Sequence, residues 1–193
     1  FKFLPPGRGL WAMGTDLVYK KGSASLNNCA VVSTDEIGYE FSEPFIWLMV
    51  MSLFGVGVSF DTNGAGKIKI QEPKTTDDIF VVEDSKEGWC ELIKVILDSY
   101  VGKSKYPNKI DYSLIRPIGS PIRAFGGTAP GPDPLIRCVE ELKNVLNKNV
   151  GEMITSTTIV DVMNILGKCV VSGGCRRTAE LALGDPNDIE YLE

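Results

Sequence analysis

Cys29-Ala30-Val31-Val32-Ser33, followed by Ser42-Glu43-Pro44 and the apolar run Phe45 to Leu53, is the stretch on which the fold class turns. The first segment is apolar and β-branched, which suits a short buried strand. Ser42 can cap a helix with Glu43 and Pro44 in its first turn, and Phe45 to Leu53 continue it, largely buried, up to a break at Gly55. Glycines from Asp61 to Pro73 and the alternation Lys67-Ile68-Lys69-Ile70 then predict a turn and a partly exposed strand. Strand, helix and strand in that order favour an α/β arrangement with some parallel pairing.

The same alternation continues on both sides. Leu4-Pro5-Pro6-Gly7-Arg8-Gly9 reads as a loop, because each proline fixes its own backbone and restrains its predecessor. A helix is expected from Asp84 to about Val101, with Trp89, Leu92, Ile93, Ile96, Leu97 and Tyr100 on one face. Tyr112 to Ile115 reads as a strand, Asp133 to about Asn147 as a helix, and Thr157 to Lys168 as another. Val170-Val171 and Thr178 to Leu183 are strand candidates around a glycine-rich turn. Leu135, Cys138, Val139, Leu142 and Leu146 repeat at helical spacing, so Cys138 reads as packing rather than chemistry. No internal repeat or low-complexity linker interrupts the pattern, and one incomplete domain is the expectation.

Composition bounds the function. With 44% hydrophobic residues in 193 positions the chain can bury a domain-sized core. A formal charge of -5 argues against a general nucleic-acid or acidic-membrane binder and leaves small phosphates as ligands for local arginines. The apolar run from Phe45 to Val58 is interrupted by Ser52, Gly55 and Gly57, short of the roughly 20 residues of a spanning helix, so no membrane segment is expected. The 5 cysteines form no CxxC pair and there is no histidine, which speaks against a zinc site. An odd cysteine count without a leader-like start points to a reducing compartment, the cytoplasm by default. Both ends look cut: the chain starts at Phe1 without methionine and stops soon after the turn-like Gly184-Asp185-Pro186-Asn187.

Four places carry candidate chemistry. Gly55-Val56-Gly57 lies between a helix and a strand, where residues without side chains let backbone amides approach a ligand; a GxG this short is a weak signal, and a plain tight turn is the more ordinary account. Arg116 and Arg123 flank the turn Pro117-Ile118-Gly119-Ser120-Pro121, and two planar guanidiniums there can hold one polyphosphate; a solvated surface loop is the alternative. Gly173-Gly174-Cys175-Arg176-Arg177 repeats the theme of glycines ahead of adjacent positive charges, with the same ambiguity. Cys29 follows Asn27-Asn28 at the start of an apolar strand, where it is either a small core residue or a thiol aimed into a nucleotide site.

Taken in order, Pro6-Gly7-Arg8-Gly9-Leu10-Trp11, Gly14-Thr15-Asp16, Leu26-Asn27-Asn28-Cys29, Gly55-Val56-Gly57, Glu87-Gly88-Trp89, Ile115-Arg116-Pro117, Phe125-Gly126-Gly127-Thr128-Ala129 and Arg176-Arg177-Thr178-Ala179-Glu180-Leu181-Ala182-Leu183-Gly184 resemble the ribonucleotide reductases. The likeness is to the adenosylcobalamin-dependent (class II) ribonucleoside-triphosphate reductases, particularly the monomeric ones, and it covers nearly the whole chain. It implies the N-terminal part of a ten-stranded α/β barrel over residues 1–193, with an effector-site insertion at about 61–111 that favours the monomeric branch.

The resemblance also implies roles. Cys29 matches one thiol of the dithiol oxidised as the ribose 2′-carbon is reduced, a two-electron change that two thiols going to one disulfide supply. Asn28 and Gly55 match substrate-binding positions, and Arg116 and Arg123 match effector-phosphate arginines. Gly173, Gly174, Arg176 and Arg177 match the specificity loop, in which Cys175 departs from the non-thiol residue expected there. The implied ligands and partners are a ribonucleoside triphosphate, a deoxyribonucleoside triphosphate effector, a thioredoxin-type reductant and adenosylcobalamin, the last bound mainly outside this chain. The family's Asn-x-Cys-x-Glu radical loop does not occur, and the second redox cysteine is expected beyond Glu193, so the chain alone is expected to be inactive. Two other readings stay open: a nucleotide-binding regulatory module without chemistry, and the large subunit of another reductase class, against which the insertion weighs.

Overall fold

The computed structural model describes residues 6–122, 128–172 and 178–192. The segment around Cys29 forms a parallel βαβ unit. Strand β1 (Cys29–Val32) pairs in parallel with β2 (Gly57–Asp61) after a crossover through helix α3 (Glu43–Leu53). The short helices α1 (Gly7–Ala12) and α2 (Asp16–Lys21) and a 3-10 turn at Ser23–Leu26 precede it. A second parallel unit follows, β3 (Thr75–Val81), α4 (Lys86–Ser99) and β4 (Tyr106–Asp111). Helices α5 (Asp133–Lys148) and α6 (Ser156–Val171) then return the chain to β5 (Glu180–Leu183), which joins the first sheet in the order β1-β2-β5. A short α7 (Ile189–Leu192) closes the described chain.

Local chemistry explains the helix limits. Pro44 sits in the first turn of α3, and the helix ends in a Schellman motif: Gly55 takes φ +73°, its N–H donates to Ser52 O at 2.7 Å, and Val56 N–H donates to Met51 O at 3.1 Å. The Ser85 hydroxyl caps α4 by accepting from Gly88 N at 2.9 Å, and Thr155 caps α6 by accepting from Thr158 N at 3.2 Å. Leu92, Ile93, Ile96 and Leu97 of α4, Leu135 and Leu142 of α5, and Ile159, Val162 and Leu166 of α6 meet α3 and the inner sheet face in one core.

The sheet is covered on one face only. Register places Ala30, Val58 and Glu180 side by side, and Val32, Phe60 and Ala182 side by side, on the face the helices cover. The other face carries Cys29, Val31, Ser59, Leu181 and Leu183, with Val31 66% and Leu181 57% exposed.

Several expectations change. The α/β class and parallel pairing hold, but the described residues form sheets of three and two strands, not a ten-stranded barrel. The proline-glycine start is helical from Gly7, with Pro6 immediately before the helix, a place where proline costs no hydrogen bond. Val170 and Val171 continue α6 rather than forming a strand, because the helix still covers the core there. The strand expected at 112–115 lies earlier, at β4, and the Lys67 to Ile70 alternation yields only an isolated bridge from Lys69 to Met153. β1 is not buried on both faces, and Cys29 is exposed. No helix among the described residues is long and apolar enough to cross a membrane.

Candidate functional site

Parallel pairing brings the starts of three strands together. Cys29 stands opposite Gly57, and Val58 opposite Glu180. Gly57 N–H donates to Asn28 O at 2.9 Å, so Asn28, Cys29 and the Gly55 turn meet at one sheet end. A Cβ on Gly57 would lie 3.6 Å from Ala179 O and 3.7 Å from Asn28 O, ordinary contact distances, so three chain segments converge there with room for a small side chain. Cys29 opens onto the uncovered face. Cys90, Cys138 and Cys169 are buried in the helical core, and all four described cysteines are free thiols. Burial pushes the Cys90 thiol up to about 11, and contact with Cys169 together with burial holds Cys138 well above the ordinary thiol value. Both are poor nucleophiles, as packing residues should be.

The Gly55 turn differs from its sequence reading in its donors. Its three amides are engaged within the chain: Gly55 to Ser52, Val56 to Met51 and Gly57 to Asn28. No backbone N–H of the three is left to cradle a phosphate. Its carbonyls are engaged as well. The Arg8 guanidinium donates to Phe54 O at 2.8 Å and to Gly55 O, with a longer contact to Ser25 O at 3.4 Å, while the Thr178 hydroxyl donates to Val56 O at 2.6 Å. Gly55 therefore contributes its left-handed backbone and the turn's shape. Arg8 fixes that shape from α1 and was not singled out in the sequence, although it stands in the Pro6-to-Trp11 motif.

A second site lies at the start of α4. A cavity of about 220 Å³ is bounded by Asp84, Ser85, Lys86 and Trp89 on one side, Arg116 on another, and Cys169 and Val170 of α6 behind. Most of its lining is apolar, with the charges at the rim, a division that suits a base or sugar inside and an anion outside. Arg116 is held by an ion pair, Nε to Asp84 Oδ2 at 2.6 Å. Lys86 Nζ pairs with Glu87 at 3.1 Å and lies 5.5 Å from the centre of the Phe54 ring. Arg123 lies outside the described residues, as do Gly173, Gly174, Cys175, Arg176 and Arg177. The two stems of that last segment are described, and they touch both sites. Cys169 and Val170, ahead of it, line the cavity, and Thr178, after it, bonds the Gly55 turn.

A family model described as the insertion domain of B12-dependent ribonucleotide reductase matches residues 59–146. Over its whole length the chain is 48% identical to a Dictyostelium discoideum protein described as a probable adenosylcobalamin-dependent ribonucleoside-triphosphate reductase, covering 28% of it. It is 43% identical over its whole length to the Euglena gracilis adenosylcobalamin-dependent ribonucleoside-triphosphate reductase, covering 27% of that protein. A crystal structure of a B12-dependent (class II) ribonucleotide reductase superimposes with TM-score 0.81 at 29% identity, over 97% of this chain and 33% of the other.

Along its whole length the chain is similar to the class II ribonucleotide reductases. It spans under a third of the length of the curated relatives quoted above. The insertion-domain match takes in Asp84 to Trp89 and Arg116, so this side of the cavity falls within it, while Cys169 and Val170 lie beyond it. The relatives are named for adenosylcobalamin, and the described residues do not fit that group. The cavities of about 220 and 370 Å³ sit near or below the low end of the ~300–1,000 Å³ range for drug-sized ligands, and a corrin with its nucleoside ligands is larger than those. Among the described residues no group of three or more His, Cys, Asp or Glu side chains is placed to hold a metal ion. Asp84, Ser85 and Lys86 were missed in the sequence because nothing local marks them; Asp84 meets Arg116 across 32 positions of chain.

Proposed function

We propose that this chain is the part of a ribonucleoside-triphosphate reductase that joins its effector site to one wall of its substrate site. The full enzyme reduces ribonucleoside triphosphates to deoxyribonucleoside triphosphates for DNA synthesis, with adenosylcobalamin supplying the radical and a thioredoxin-type protein the electrons. Cys29 is one of two thiols that reduce the ribose: a C2′–OH and two thiols become a C2′–H, a disulfide and water, which balances two electrons. Asn28 and Gly55 shape the wall beside it. The cavity at Arg116 and Lys86 takes the deoxyribonucleoside triphosphate effector, with Arg123 as a second phosphate ligand and residues 173–177 as the specificity loop. We assign residues 1–193 to the N-terminal part of a ten-stranded barrel with an effector-site insertion at about 61–111, in a monomeric cytoplasmic enzyme.

The observation that carries this reading is the placement of the α6–β5 connection, whose stems line the cavity at Val170 and bond the Gly55 turn at Thr178. A connection anchored at both sites can carry a coupling free energy of about 1–3 kcal/mol between them. In the full-length enzyme, Cys29→Ser should abolish multiple turnover and leave effector binding intact. Arg116→Ala should weaken effector binding about tenfold or more and leave turnover without effector unchanged. Unchanged turnover in Cys29→Ser would sink the catalytic assignment and favour a nucleotide-binding module without chemistry.

A further inference from the structure

β5 alternates against expectation. Its two leucines face outward on the uncovered side of the sheet, and its acid, Glu180, faces the helices beside Val58. The Glu180 carboxyl lies against α6 at Gly167, where an added Cβ would overlap it, so the missing side chain of Gly167 forms the notch that the carboxyl fills. Glu180 Oε1 is buried and has no hydrogen-bond partner among the described residues. Gly167 lies near the end of α6 and Glu180 opens β5. Their contact therefore spans the base of the connection whose stems reach the cavity and the Gly55 turn.

We propose that Glu180, seated in the Gly167 notch, is a positioning residue that clamps both stems of the α6–β5 connection and thereby sets how effector identity reaches the substrate site. The clamp rests on the reading of that connection as the effector-to-substrate relay. Glu180 touches neither nucleotide; it acts through the strand and helix it joins.

The clamp works with the carboxyl neutral. A buried ionised carboxylate without donors is costly, whereas the neutral acid is tolerated in an apolar notch. Burial pushes the Glu180 carboxyl up to about 7. Among the described residues, charged groups on neighbouring elements do not oppose that shift. On α6, Asp161 is exposed and Lys168 pairs with Glu141; on β2, Asp61 lies on the opposite face of the sheet and accepts from Thr34; from α7, Tyr191 donates its hydroxyl to Ala182 O. Ionisation near neutral pH makes the carboxyl seek water, which loosens β5 from α6. The relay should therefore weaken as pH rises through about 7.

The experiment uses the full-length enzyme and compares wild type, Glu180→Gln and Glu180→Ala. One readout is the effector-dependent change in preference among the four ribonucleoside triphosphates, measured from pH 6 to 8.5. The other is hydrogen exchange in α6 and β5. Wild type should show a shift of roughly 5–150-fold at pH 6 that declines towards pH 8.5. Glu180→Gln, neutral at every pH, should hold the full shift throughout. Glu180→Ala should lose most of it, with turnover in the absence of effector within twofold of wild type. Gly167→Ala, which fills the notch, should match Glu180→Ala. A pH profile for Glu180→Gln that declines as in wild type, or a full shift in Glu180→Ala, overturns the proposal. Should wild type show no effector-dependent preference at all, the relay reading fails, and exchange still judges the clamp by itself: faster exchange at β5 in wild type above pH 7 and not in Glu180→Gln upholds it, and equal exchange refutes it.

Discussion

Replacing Arg8 tests whether the Gly55 turn is shaped from α1. The guanidinium makes two close bonds to the carbonyls that directly follow α3, at Phe54 and Gly55. Hydrogen bonds to a charged group contribute about 1.5–3 kcal/mol each, and a positive charge at a helix C-terminus adds about 0.3–1 kcal/mol. Arg8 is only half-buried, so water recovers part of this, and a net loss of about 2 kcal/mol is expected for Arg8→Gln. In urea that is a midpoint shift of roughly 1 M, taking a slope of about 2 kcal/mol/M. Arg8→Lys should lose about half as much, because an ammonium can serve one carbonyl but does not present a fork. The damage should be local: 2 kcal/mol is about a thirtyfold change in opening, so exchange at the Gly55 and Val56 amides should rise by roughly that factor while the α5 core stays protected. A midpoint within about 0.2 M of wild type and unchanged exchange at those amides would refute the role given to Arg8.

Three further outcomes are expected. Leu142→Ala, at a fully buried position of α5, should cost about 2–5 kcal/mol in a denaturation experiment, and a loss below about 1 kcal/mol would contradict the described core. Burial raises the Asp61 carboxyl, but hydrogen bonds from Ser33, Thr34 and Asn63 outweigh it, and the net shift is downward from 3.8. Its contribution is therefore present above about pH 4 and lost as pH falls through its lowered value. Asp61→Asn should flatten the acid limb of stability against pH, and an unchanged limb would show that another group controls it. In a Cys175→Ser background a maleimide should label Cys29 first, because Cys29 is exposed while Cys90, with a thiol pushed up to about 11, holds about one thiolate in ten thousand at pH 7. Equal labelling of Cys29 and Cys90, read by peptide mass, would contradict the burial pattern.

Hydrophobic periodicity carried most of the fold. β1, α3, α4, α5 and α6 were legible because each presents a stripe or run that only one period fits. β3 was not, because Thr75-Thr76-Asp77-Asp78-Ile79-Phe80-Val81 is polar in its first half and exposed at Ile79, so pairing with β4 rather than burial defines it. Val170-Val171 misled through β propensity, which the core contacts of α6 override. For the site, the sequence singled out Asn28, Cys29 and the Gly55 turn, which the structure brings to one sheet end; of the two readings open for the turn the structure has the plain tight turn, since the partners of its amides, Met51, Ser52 and Asn28, are fixed only by the helix end and the strand pairing. Arg116 was legible as a candidate; its lock on Asp84 was not.

The strand β5 holds the last step. Glu180-Leu181-Ala182-Leu183 alternates cleanly, and by the usual rule the leucines should face the core and the glutamate the solvent. The structure has the opposite parity, set by register with β2. A one-residue slip would correct it, moving both leucines inward, so the observed register holds for a reason other than this chain's own burial. Two features hold it. Thr178 bonds Val56 O just ahead of the strand, and the Gly167 notch accepts the glutamate. The consequence is an open sheet face on which Val31, Leu181 and Leu183 are exposed to either side of Ser59 and Asp61 of β2, with the exposed thiol of Cys29 at its edge. Exposed apolar patches of this kind mark surfaces that are covered in the working protein, and the solved relative's chain is about three times as long as the part this chain matches. The parity of one four-residue strand thus sets both faces at once: whatever keeps Glu180 in its notch also keeps Leu181 and Leu183 on the open face, one strand removed from the strand that carries Cys29.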